Sequence, residues 1–202
     1  MNDRDLIERF LRGEAAAFNT LVWRWQKTIY NFILRDIGNR DEAQDLTQQV
    51  FVRVYRNLDK LKNLDRFSTW IYQIAANLCR DLIKQRRRRG QQSLEGMQEA
   101  GAVELASNAA LTLQAEHEEH PDRVVSRSQL RDLLEKALQE IPEEQRIVVV
   151  MKEYQNLKFT EIAEILGAPV NTVKSRLYYG LNALKKVLSR WQIDEEVMHY
   201  EM

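Results

Sequence analysis

The sequence is poor in the residues that build disulfide frameworks, phosphate loops and membrane spans. Its 202 residues include one cysteine, Cys79, seven glycines and three prolines. A single cysteine cannot form an intramolecular disulfide, and a small buried thiol in a reducing compartment is the simplest interpretation. No apolar run approaches the ~20 residues of a membrane-spanning helix, and the mixed-polarity residues 1–5 lack the character of a signal peptide. We therefore expect a soluble protein that is not exported.

Catalytic and cofactor motifs are also missing. The glycines form no Walker loop or dinucleotide fingerprint, and no Ser/His/Asp or Cys/His grouping indicates a nucleophile. His117 and His120 do not have the His-Glu-x-x-His spacing that places two imidazoles one helical turn apart, and no cysteine lies near them. The sequence predicts neither an enzyme nor a metal or cofactor site.

The net charge of zero hides a strong segregation of charge. Residues 1–90 carry a net charge of +7 and residues 129–190 one of +2, whereas residues 91–128 carry −5 and the last twelve residues −4. Basic modules joined by an acidic connector are typical of proteins that bind a polyanion. Residues 91–126 also lack a sustained hydrophobic period and contain several Gly, Ser, Asn and Gln, which predicts a flexible acidic linker.

Residues 1–90 have the periodicity of four amphipathic helices. We expect Asp3 or Asp5 to cap the first helix, and Gly38 to follow the end of the second, which has a wide apolar face. The third helix is expected over about residues 40–61, and the fourth occupies the end of the segment.

The segment after the linker is predicted to be helical as well. Helices are expected over about residues 127–140 and 142–154. The β-branched run at residues 147–151 has strand propensity. However, Pro142 at a helix start, the two glutamates after it and the lack of a second strand favour a helix.

Residues 159–188 have the pattern of a helix-turn-helix. Thr160 can cap the first helix, Gly167 can supply a left-handed stop, and Asn171 or Thr172 can cap the second helix. Five residues of the second helix recur at helical spacing and are expected to form one buried stripe: Val173, Leu177, Leu181, Leu184 and Leu188. The opposite face carries donors for phosphates and base edges, which predicts DNA binding, with an ordinary helical hairpin as the alternative. The fold class is therefore all-α, with two small helical domains joined by a linker.

Aromatic rings alternate with cations at the end of the first domain. Phe67, Trp70 and Tyr72 precede Arg80, Lys84 and a run of four arginines. Stacking platforms combined with positive charge suit a single-stranded nucleic acid. Phe67 and Trp70 can equally be core residues, and the basic run can be a solvated helix end, a membrane-surface patch or a targeting signal.

Five segments, taken in order, resemble motifs of the extracytoplasmic function (ECF) sigma factors, of the sigma-E type, which give bacterial RNA polymerase its promoter specificity. The segments are LRGEAAAFNTL (residues 11–21), DEAQDLTQQVF (41–51), FSTWIYQIAAN (67–77), IPEEQR (141–146) and the helix-turn-helix (160–186). They resemble the family's opening motif, its polymerase-binding helix, its melting and minus-ten segment, the start of its second domain and its minus-thirty-five reader. Only the linker and the tail lie outside the resemblance.

The resemblance implies a role for each surface. Asp45, Gln48 and Gln49 would bind core RNA polymerase; the position of Gln49 is often acidic in the family, so one charge for pairing is absent here. The residues implied at the melted minus-ten strand are Phe67, Ser68, Thr69, Trp70, Tyr72, Gln73, Asn77, Arg80 and Lys84. The residues implied along the DNA backbone are Arg86, Arg87, Arg88 and Arg89. The residues implied at the minus-thirty-five duplex are Asn171, Thr172, Lys174, Ser175, Arg176 and Tyr179.

The implied domains are residues 1–90 for polymerase binding and minus-ten melting, 91–126 as linker, 127–192 for minus-thirty-five recognition and 193–202 as acidic tail. The implied function is promoter-specific transcription initiation of a stress or envelope-response regulon, without catalysis. The implied partners are core RNA polymerase, promoter DNA as duplex and melted non-template strand, and an anti-sigma factor. The protein would be cytoplasmic and nucleoid-associated, held at the inner membrane by the anti-sigma factor without inserting itself. The alternative is an autonomous helix-turn-helix regulator, a class that usually dimerises.

Overall fold

A computed structural model of the chain describes residues 2–99 and 127–191, and these residues form eight α-helices without a β-strand. The prediction of an all-α fold with two helical domains is confirmed. The helices of the first domain are α1 (Asp3–Leu11), α2 (Ala15–Ile37), α3 (Arg40–Asn57) and α4 (Phe67–Glu99). The helices of the second domain are α5 (Arg127–Glu140), α6 (Glu143–Val149), α7 (Phe159–Leu166) and α8 (Val170–Arg190). Short 3₁₀ turns at Leu58–Lys60 and Leu64–Arg66 connect α3 to α4.

Local side-chain chemistry sets the helix ends of the first domain. Asn2 caps α1: its Oδ1 accepts from the Asp5 N–H at 2.8 Å, and the Asp5 carboxylate accepts from the Asn2 N–H at 3.1 Å. The predicted caps Asp3 and Asp5 are wrong, because the capping residue must precede the first helical residue in extended backbone. Gly38 ends α2 with φ +73°, as predicted. The third helix ends at Asn57, earlier than predicted, and continues as a 3₁₀ turn.

The core of the first domain surrounds α2, which packs against α1, α3 and α4. Its largest fully buried side chains include Phe32 and Phe67. The Trp25 ring meets the Phe67 and Tyr72 rings edge-on, with centroids 5.7 and 5.9 Å apart. Each fully buried large apolar side chain contributes about 1.5–3 kcal/mol. The aromatic rings at the start of α4 therefore help to fix that helix on the core.

The β-branched run of the second domain is helical, as predicted. Residues Ile147 to Met151 are all buried at the centre of the domain. The helix widens after α6 into a π-helical turn, Val150–Tyr154, and the chain then reverses through Asn156, whose φ is +51°. Tertiary burial decides the conformation here, because the described part of the chain offers no strand for this segment to pair with.

The helix-turn-helix is formed by α7 and α8. Gly167 takes φ +63° and ends α7, as predicted. The predicted caps are wrong: Lys158 precedes α7, with its N–H donating to the Glu161 carboxylate at 2.7 Å, and Pro169 precedes α8. Helix α8 starts this early because the proline has no N–H to satisfy and its φ is already fixed near the helical value.

The buried face of α8 differs from the predicted stripe at one position. Val173 and Leu188 are buried and Leu177 and Leu184 are half-buried, but Leu181 is 41% exposed. Gly180 is buried in its place, and a Cβ there would lie 2.8 Å from Val149 Cγ2. The absence of a side chain at residue 180 lets α8 approach α6 closely, which turns the neighbouring Leu181 outward.

The two domains pack against each other, with α5 and α6 on α2 and α7 on α4. Gln139 donates its amide to the Arg35 carbonyl at 2.8 Å, and the Tyr72 hydroxyl donates to Gln155 Oε1 at 2.6 Å. The Arg35 guanidinium also lies 4.3 Å from the centroid of the Tyr154 ring. We call this packing the closed arrangement.

Several predictions concern residues outside the described ranges, among them His117, His120, most of the predicted linker and the whole acidic tail, residues 193–202. Helix α4 continues past Gly90, where the first domain was predicted to end. Within residues 2–99 and 127–191, no helix is both long and apolar enough to cross a membrane.

Candidate nucleic-acid interface

The outward face of α3 carries the residues predicted to bind polymerase. Asp45, Gln48 and Gln49 are exposed, because their positions alternate with the buried Leu46 and Val50 at helical spacing. They line a shallow groove of about 380 Å³ together with Val52, Arg53 and Arg56. The groove therefore offers hydrogen-bonding groups, charges of both signs and the 47% exposed Val52 to one partner.

The start of α4 divides the predicted minus-ten residues into a buried and a partly exposed set. Phe67, Thr69 and Tyr72 are at most 5% exposed and belong to the core. Burial also raises the pKa of Tyr72 well above its ordinary value, so this hydroxyl stays protonated. The half-buried members of the set are Ser68, Trp70, Gln73, Asn77 and Arg80. Of the two rings whose role the sequence leaves open, Phe67 is a core residue and Trp70 retains an accessible part.

The four consecutive arginines have different surroundings. Arg86 donates to the Ile37 carbonyl at 3.2 Å and pairs with Glu42, so it satisfies the C-terminal end of α2. Arg87 pairs with Glu143 of the second domain at 2.7 Å. Arg88 and Arg89 are exposed, as is Lys84. The structural role of Arg86 could not be read from the sequence, because Ile37 lies far away along the chain.

The N-terminal half of α8 presents a polar and aromatic surface. Asn171, Lys174 and Ser175 are exposed, Thr172 is half-buried, and Tyr179 is 60% exposed. Tyr178 is 66% exposed and meets Tyr179 edge-on at 5.5 Å. The helical period places Tyr178 on the predicted polar face, although the family resemblance did not include it among the residues at the minus-thirty-five duplex.

Cations of both domains converge on one cleft of about 600 Å³. Arg80, Lys84 and Arg87 of α4 line it together with Arg176 of α8. The acidic residues along the same cleft are Asp36, Glu143 and Glu144. Glu144 pairs with Arg176. Four cations this close to one another suit a polyanion, but carboxylates occupy part of the cleft in the closed arrangement.

A buried ion pair that the sequence analysis missed joins the domains beneath this cleft. Asp36 of α2 is 1% exposed, and its Oδ1 lies 3.7 Å from Nε of Arg146 in α6, which is 8% exposed. Neither carboxylate oxygen has a hydrogen-bond partner among the described residues. Burial therefore raises the pKa of Asp36 to about 6, and the attraction of Arg146 only partly opposes this. Asp36 follows the buried Ile33 by one helical turn, which was the available signal.

The thiol of Cys79 lies against the same pair. It is fully buried, and burial together with the Asp36 carboxylate raises its pKa well above the ordinary value. The thiol therefore stays protonated and unreactive, as a buried structural cysteine does.

The described residues define a class of protein before any comparison is made: two helical domains, one with a helix-turn-helix, whose cations converge on a surface for nucleic acid. Residues 21–89 match the description "Sigma-70 region 2", and residues 131–184 match "Sigma-70, region 4". The chain is 30% identical over 190 residues to the RNA polymerase sigma-H factor of Pseudomonas aeruginosa, covering 92% of this chain and 93% of that protein.

Two further comparisons agree with this class. The chain is 33% identical over 185 residues to the ECF RNA polymerase sigma factor SigW of Bacillus subtilis, with 90% and 94% of the two chains covered. In fold it is similar to the sigma factor RpoE of Bartonella quintana, solved in complex with the anti-sigma factor NepR, with a TM-score of 0.61 at 20% identity and coverage of 85% and 96%. The chain belongs to the sigma-70 family of RNA polymerase sigma factors, in its ECF group.

Membership of this family decides between the functions that the sequence left open. The protein is a sigma factor that directs promoter-specific transcription initiation by core RNA polymerase. It acts by binding and not by catalysis, and it is not an autonomous helix-turn-helix regulator.

Proposed function

We propose that three separate surfaces of this chain divide the work of initiation. The α3 groove with Asp45, Gln48 and Gln49 docks on core RNA polymerase. The start of α4 holds the melted minus-ten strand, and α8 binds the minus-thirty-five duplex. The observation that carries the proposal is that the α3 groove is open in the closed arrangement, whereas the DNA-facing cations are partly covered. Docking on polymerase can therefore precede DNA binding.

In the minus-ten surface, the buried and exposed residues have different tasks. Phe67, Thr69 and Tyr72 form the framework that fixes α4 on the core. The residues that contact bases are the accessible ones, Ser68, Trp70, Gln73 and Asn77. Extruding a base from duplex costs a few kcal/mol, which stacking on one accessible ring and a fitted pocket must offset. Arg80, Lys84, Arg87, Arg88 and Arg89 follow the phosphates.

In the minus-thirty-five surface, exposure separates the contacts in the same way. Asn171, Lys174, Ser175 and Tyr179 face the groove and backbone of the duplex. Arg176 joins them after it leaves Glu144, and Thr172 contributes its hydroxyl near the helix start. These residues belong to the proposed DNA-binding domain at 127–192, and the proposed linker at 91–126 connects it to the polymerase-binding domain at 1–90. The acidic tail, 193–202, is outside both.

A further partner of this chain is an anti-sigma factor that keeps the protein inactive. The support is that the sigma factor RpoE of Bartonella quintana was solved with the anti-sigma factor NepR, and that this chain shares its fold. An anti-sigma factor anchored in the inner membrane would hold the protein there, and its release would return the protein to the cytoplasm and nucleoid. The genes served are those of a stress or envelope response, by resemblance to the sigma-E type.

The polymerase assignment is tested by the double variant Asp45→Ala with Gln48→Ala. Both side chains are exposed, so the helices should form normally. Affinity for bacterial core RNA polymerase should fall by about five- to 150-fold, since a loss of ~1–3 kcal/mol is typical for removing polar contacts of an interface. Fluorescence titration of labelled chain with polymerase measures the affinity, and circular dichroism checks the fold.

The matched control is Asp81→Ala with Gln85→Ala, which removes the same two residue types from exposed positions of α4. It should bind polymerase as the wild type does. Equal polymerase affinity of the α3 variant and the wild type would remove the docking site from α3.

A further inference from the structure

We propose that the acidic tail of this chain, residues 193–202, docks in a basic groove between α2 and α5. The groove consists of two adjoining clefts of about 250 and 360 Å³, which share Leu34, Arg40, Asp132 and Glu135. We call the two clefts together the seam groove. None of its lining residues belongs to the surfaces proposed for polymerase or DNA. The inference therefore goes beyond the proposed function and does not rest on it.

The seam groove carries an excess of positive charge. Its acidic residues are Asp132 and Glu135, and its cations are Lys27, Arg35, Arg40, Arg131 and Lys136. Five cations and two carboxylates leave a net charge of +3 along the groove. Arg40 Nη2 lies 4.0 Å from Asp132 Oδ1, but both side chains are more than half exposed, so water weakens this pair. Arg40 can therefore take part in binding another anion.

The acidic tail has the complementary charge. It contains Asp194, Glu195, Glu196 and Glu201 and neither lysine nor arginine, which gives a net charge of −4. Carboxylates accept charge-assisted hydrogen bonds from guanidinium and ammonium groups. The seam groove offers both kinds of donor along one line, so it suits a short acidic peptide segment.

Apolar groups of the seam groove and the tail also match. Tyr30 and Leu34 are half-buried in the groove, and Trp23, one helical turn before Lys27 on α2, is 75% exposed. The apolar residues of the tail are Ile193, Val197, Met198, Tyr200 and Met202. An acidic segment with interspersed apolar side chains can therefore cover both the cations and the exposed rings of this face.

The chain leaves α8 close to one end of the seam groove. Arg190, the last residue of α8, pairs with Glu140 at the end of α5. The neighbouring Gln139 lines the groove and donates its amide to the Arg35 carbonyl at 2.8 Å. The ten residues of the tail can span up to ~35 Å when extended, whereas the eight helical steps from Gln139 back to Arg131 cover only ~12 Å. The tail can therefore follow the whole groove.

Attachment to α8 makes docking an intramolecular event. A short flexible connection gives an effective concentration of about millimolar, so weak contacts are enough to occupy the groove. Three exposed ion pairs multiply the ratio of docked to undocked tail by roughly three- to 150-fold. Because such pairs are screened at a Debye length of ~3 Å in 1 M salt, docking should be lost there.

The test is NMR spectroscopy of the full chain with a nitroxide spin label attached through Met198→Cys. Cys79 is buried, so the label attaches at residue 198. A spin label reduces the intensity of amide signals close to it. We expect a loss of intensity at residues 27–31 and 131–132, at the far end of the groove, while residues 45–56 of α3 keep their intensity. The loss should disappear in ~1 M salt.

Charge variants distinguish docking from mere tethering. Lys27→Glu with Arg131→Glu should abolish the loss of intensity at residues 27–31, and so should Glu195→Lys with Glu196→Lys in the tail. Combining all four substitutions should restore it, because the charges are then exchanged. The tail pair alters no side chain of the groove, so it decides the question if the groove pair misfolds. The control, Lys62→Glu with Lys158→Glu, reverses two exposed cations outside the groove and should keep the wild-type pattern.

Three results would overturn the proposal. The first is equal intensity at residues 27–31 in the wild type and the tail variant. The second is a loss of intensity when spin-labelled chain without isotope is mixed with isotope-labelled chain, since the occupant is then a second copy. The third is an unaffected groove in the spin-labelled chain whose signals shift on adding a single-stranded oligonucleotide of mixed sequence. None of these measurements involves polymerase or the proposed DNA contacts, so the proposed function stands or falls separately.

Discussion

Replacing Asp36 with Asn should strengthen the closed arrangement, although it removes one member of a buried ion pair. The Asp36 carboxylate is 1% exposed and has no hydrogen-bond partner among the described residues. The Arg146 guanidinium is better supported, since its Nη1 reaches the carbonyls of Leu138 and Gln139 at 3.5 Å. The carboxylate is therefore the less stable partner at this position. An amide of the same shape can accept from Arg146 without a full negative charge.

The magnitude follows from the pKa of Asp36, which rises from 3.8 to about 6 when the group is buried. The attraction of Arg146 already lowers this pKa, so the loss of that attraction is included. If the whole shift of about two units is taken as the effect of closure, ionised Asp36 opposes closure by ~3 kcal/mol at pH 7. The new amide leaves its own N–H groups without partners, at a cost of about 1–2 kcal/mol. The net gain in closure is ~1–2 kcal/mol, or roughly tenfold.

The measurement is the affinity of the free chain for a labelled single strand at pH 7. Because the closed arrangement covers part of the DNA-facing cations, the dissociation constant should rise by up to about tenfold in Asp36→Asn. Asp81→Asn is the matched control, because Asp81 is exposed on α4. Losing that negative charge near the DNA should leave the affinity equal or slightly tighter, which is the opposite direction.

The competing effect is the burial of Arg146 without a carboxylate, which costs about 3–5 kcal/mol where a buried charge is left unpaired. If that effect dominates, Asp36→Asn will expand in X-ray scattering and bind the single strand more tightly than the wild type. Expansion of the variant, or tighter binding of the single strand by it, would refute the conclusion that the Asp36 carboxylate opposes closure.

Two further predictions concern the same interface and the packing of α8. Since closure raises the pKa of Asp36, the closed chain binds a proton at this carboxylate more tightly than the open chain does. The free energy that favours closure should therefore increase by about 1 kcal/mol when the pH falls from 7 to 5. This increase should be lost again as the pH rises through about 6. The groups facing Asp36 are Arg146 and Glu143 of α6 and Cys79 and Arg80 of α4. The tenfold difference in single-strand affinity between the wild type and Asp36→Asn should shrink at pH 5. A ratio of affinities that stays constant between pH 7 and pH 5 would contradict the assignment of this pH dependence to Asp36. Gly180→Ala should lower the free energy of unfolding, measured by urea titration, by about 1 kcal/mol. The new Cβ would lie 2.8 Å from Val149 Cγ2, which strains the packing of α8 on α6. This strain should exceed the ~1 kcal/mol that alanine gains over glycine in helix propensity. A more stable variant would show that α6 gives way freely.

Most of the fold could be predicted from local patterns along the chain. Some features depend only on neighbours within a few residues, and these include the periodicity of α2 and α5 and the left-handed stops at Gly38 and Gly167. The helical state of residues 147–151 depends on burial, which the apolar pattern indicates. Helix caps were less predictable. Several polar residues could satisfy each helix end, and the backbone geometry of the connecting turns selected Asn2, Lys158 and Pro169.

The exposure of the candidate site was only partly predictable. For α3 the alternation of buried and exposed positions was sufficient, because that face has no neighbour in the described structure. For α4 it was not sufficient, because three helices pack against it: α2 and α3 of the first domain and α7 of the second. Phe67 and Tyr72 accordingly belong to the core, although their spacing among cations suggested stacking on bases.

The sequence by itself determined the all-helical class, the two-domain order and the family, since these depend on hydrophobic period and on motifs that are continuous along the chain. The tertiary structure decided which cations are free. Arg86 satisfies the end of α2, while Arg87, Arg66 and Arg176 are paired with glutamates that are distant in sequence. It also created the buried pair of Asp36 and Arg146, 110 positions apart. The physical reason is that the state of a charge depends on the distance to its partners and on access to water, and folding alone brings those partners together.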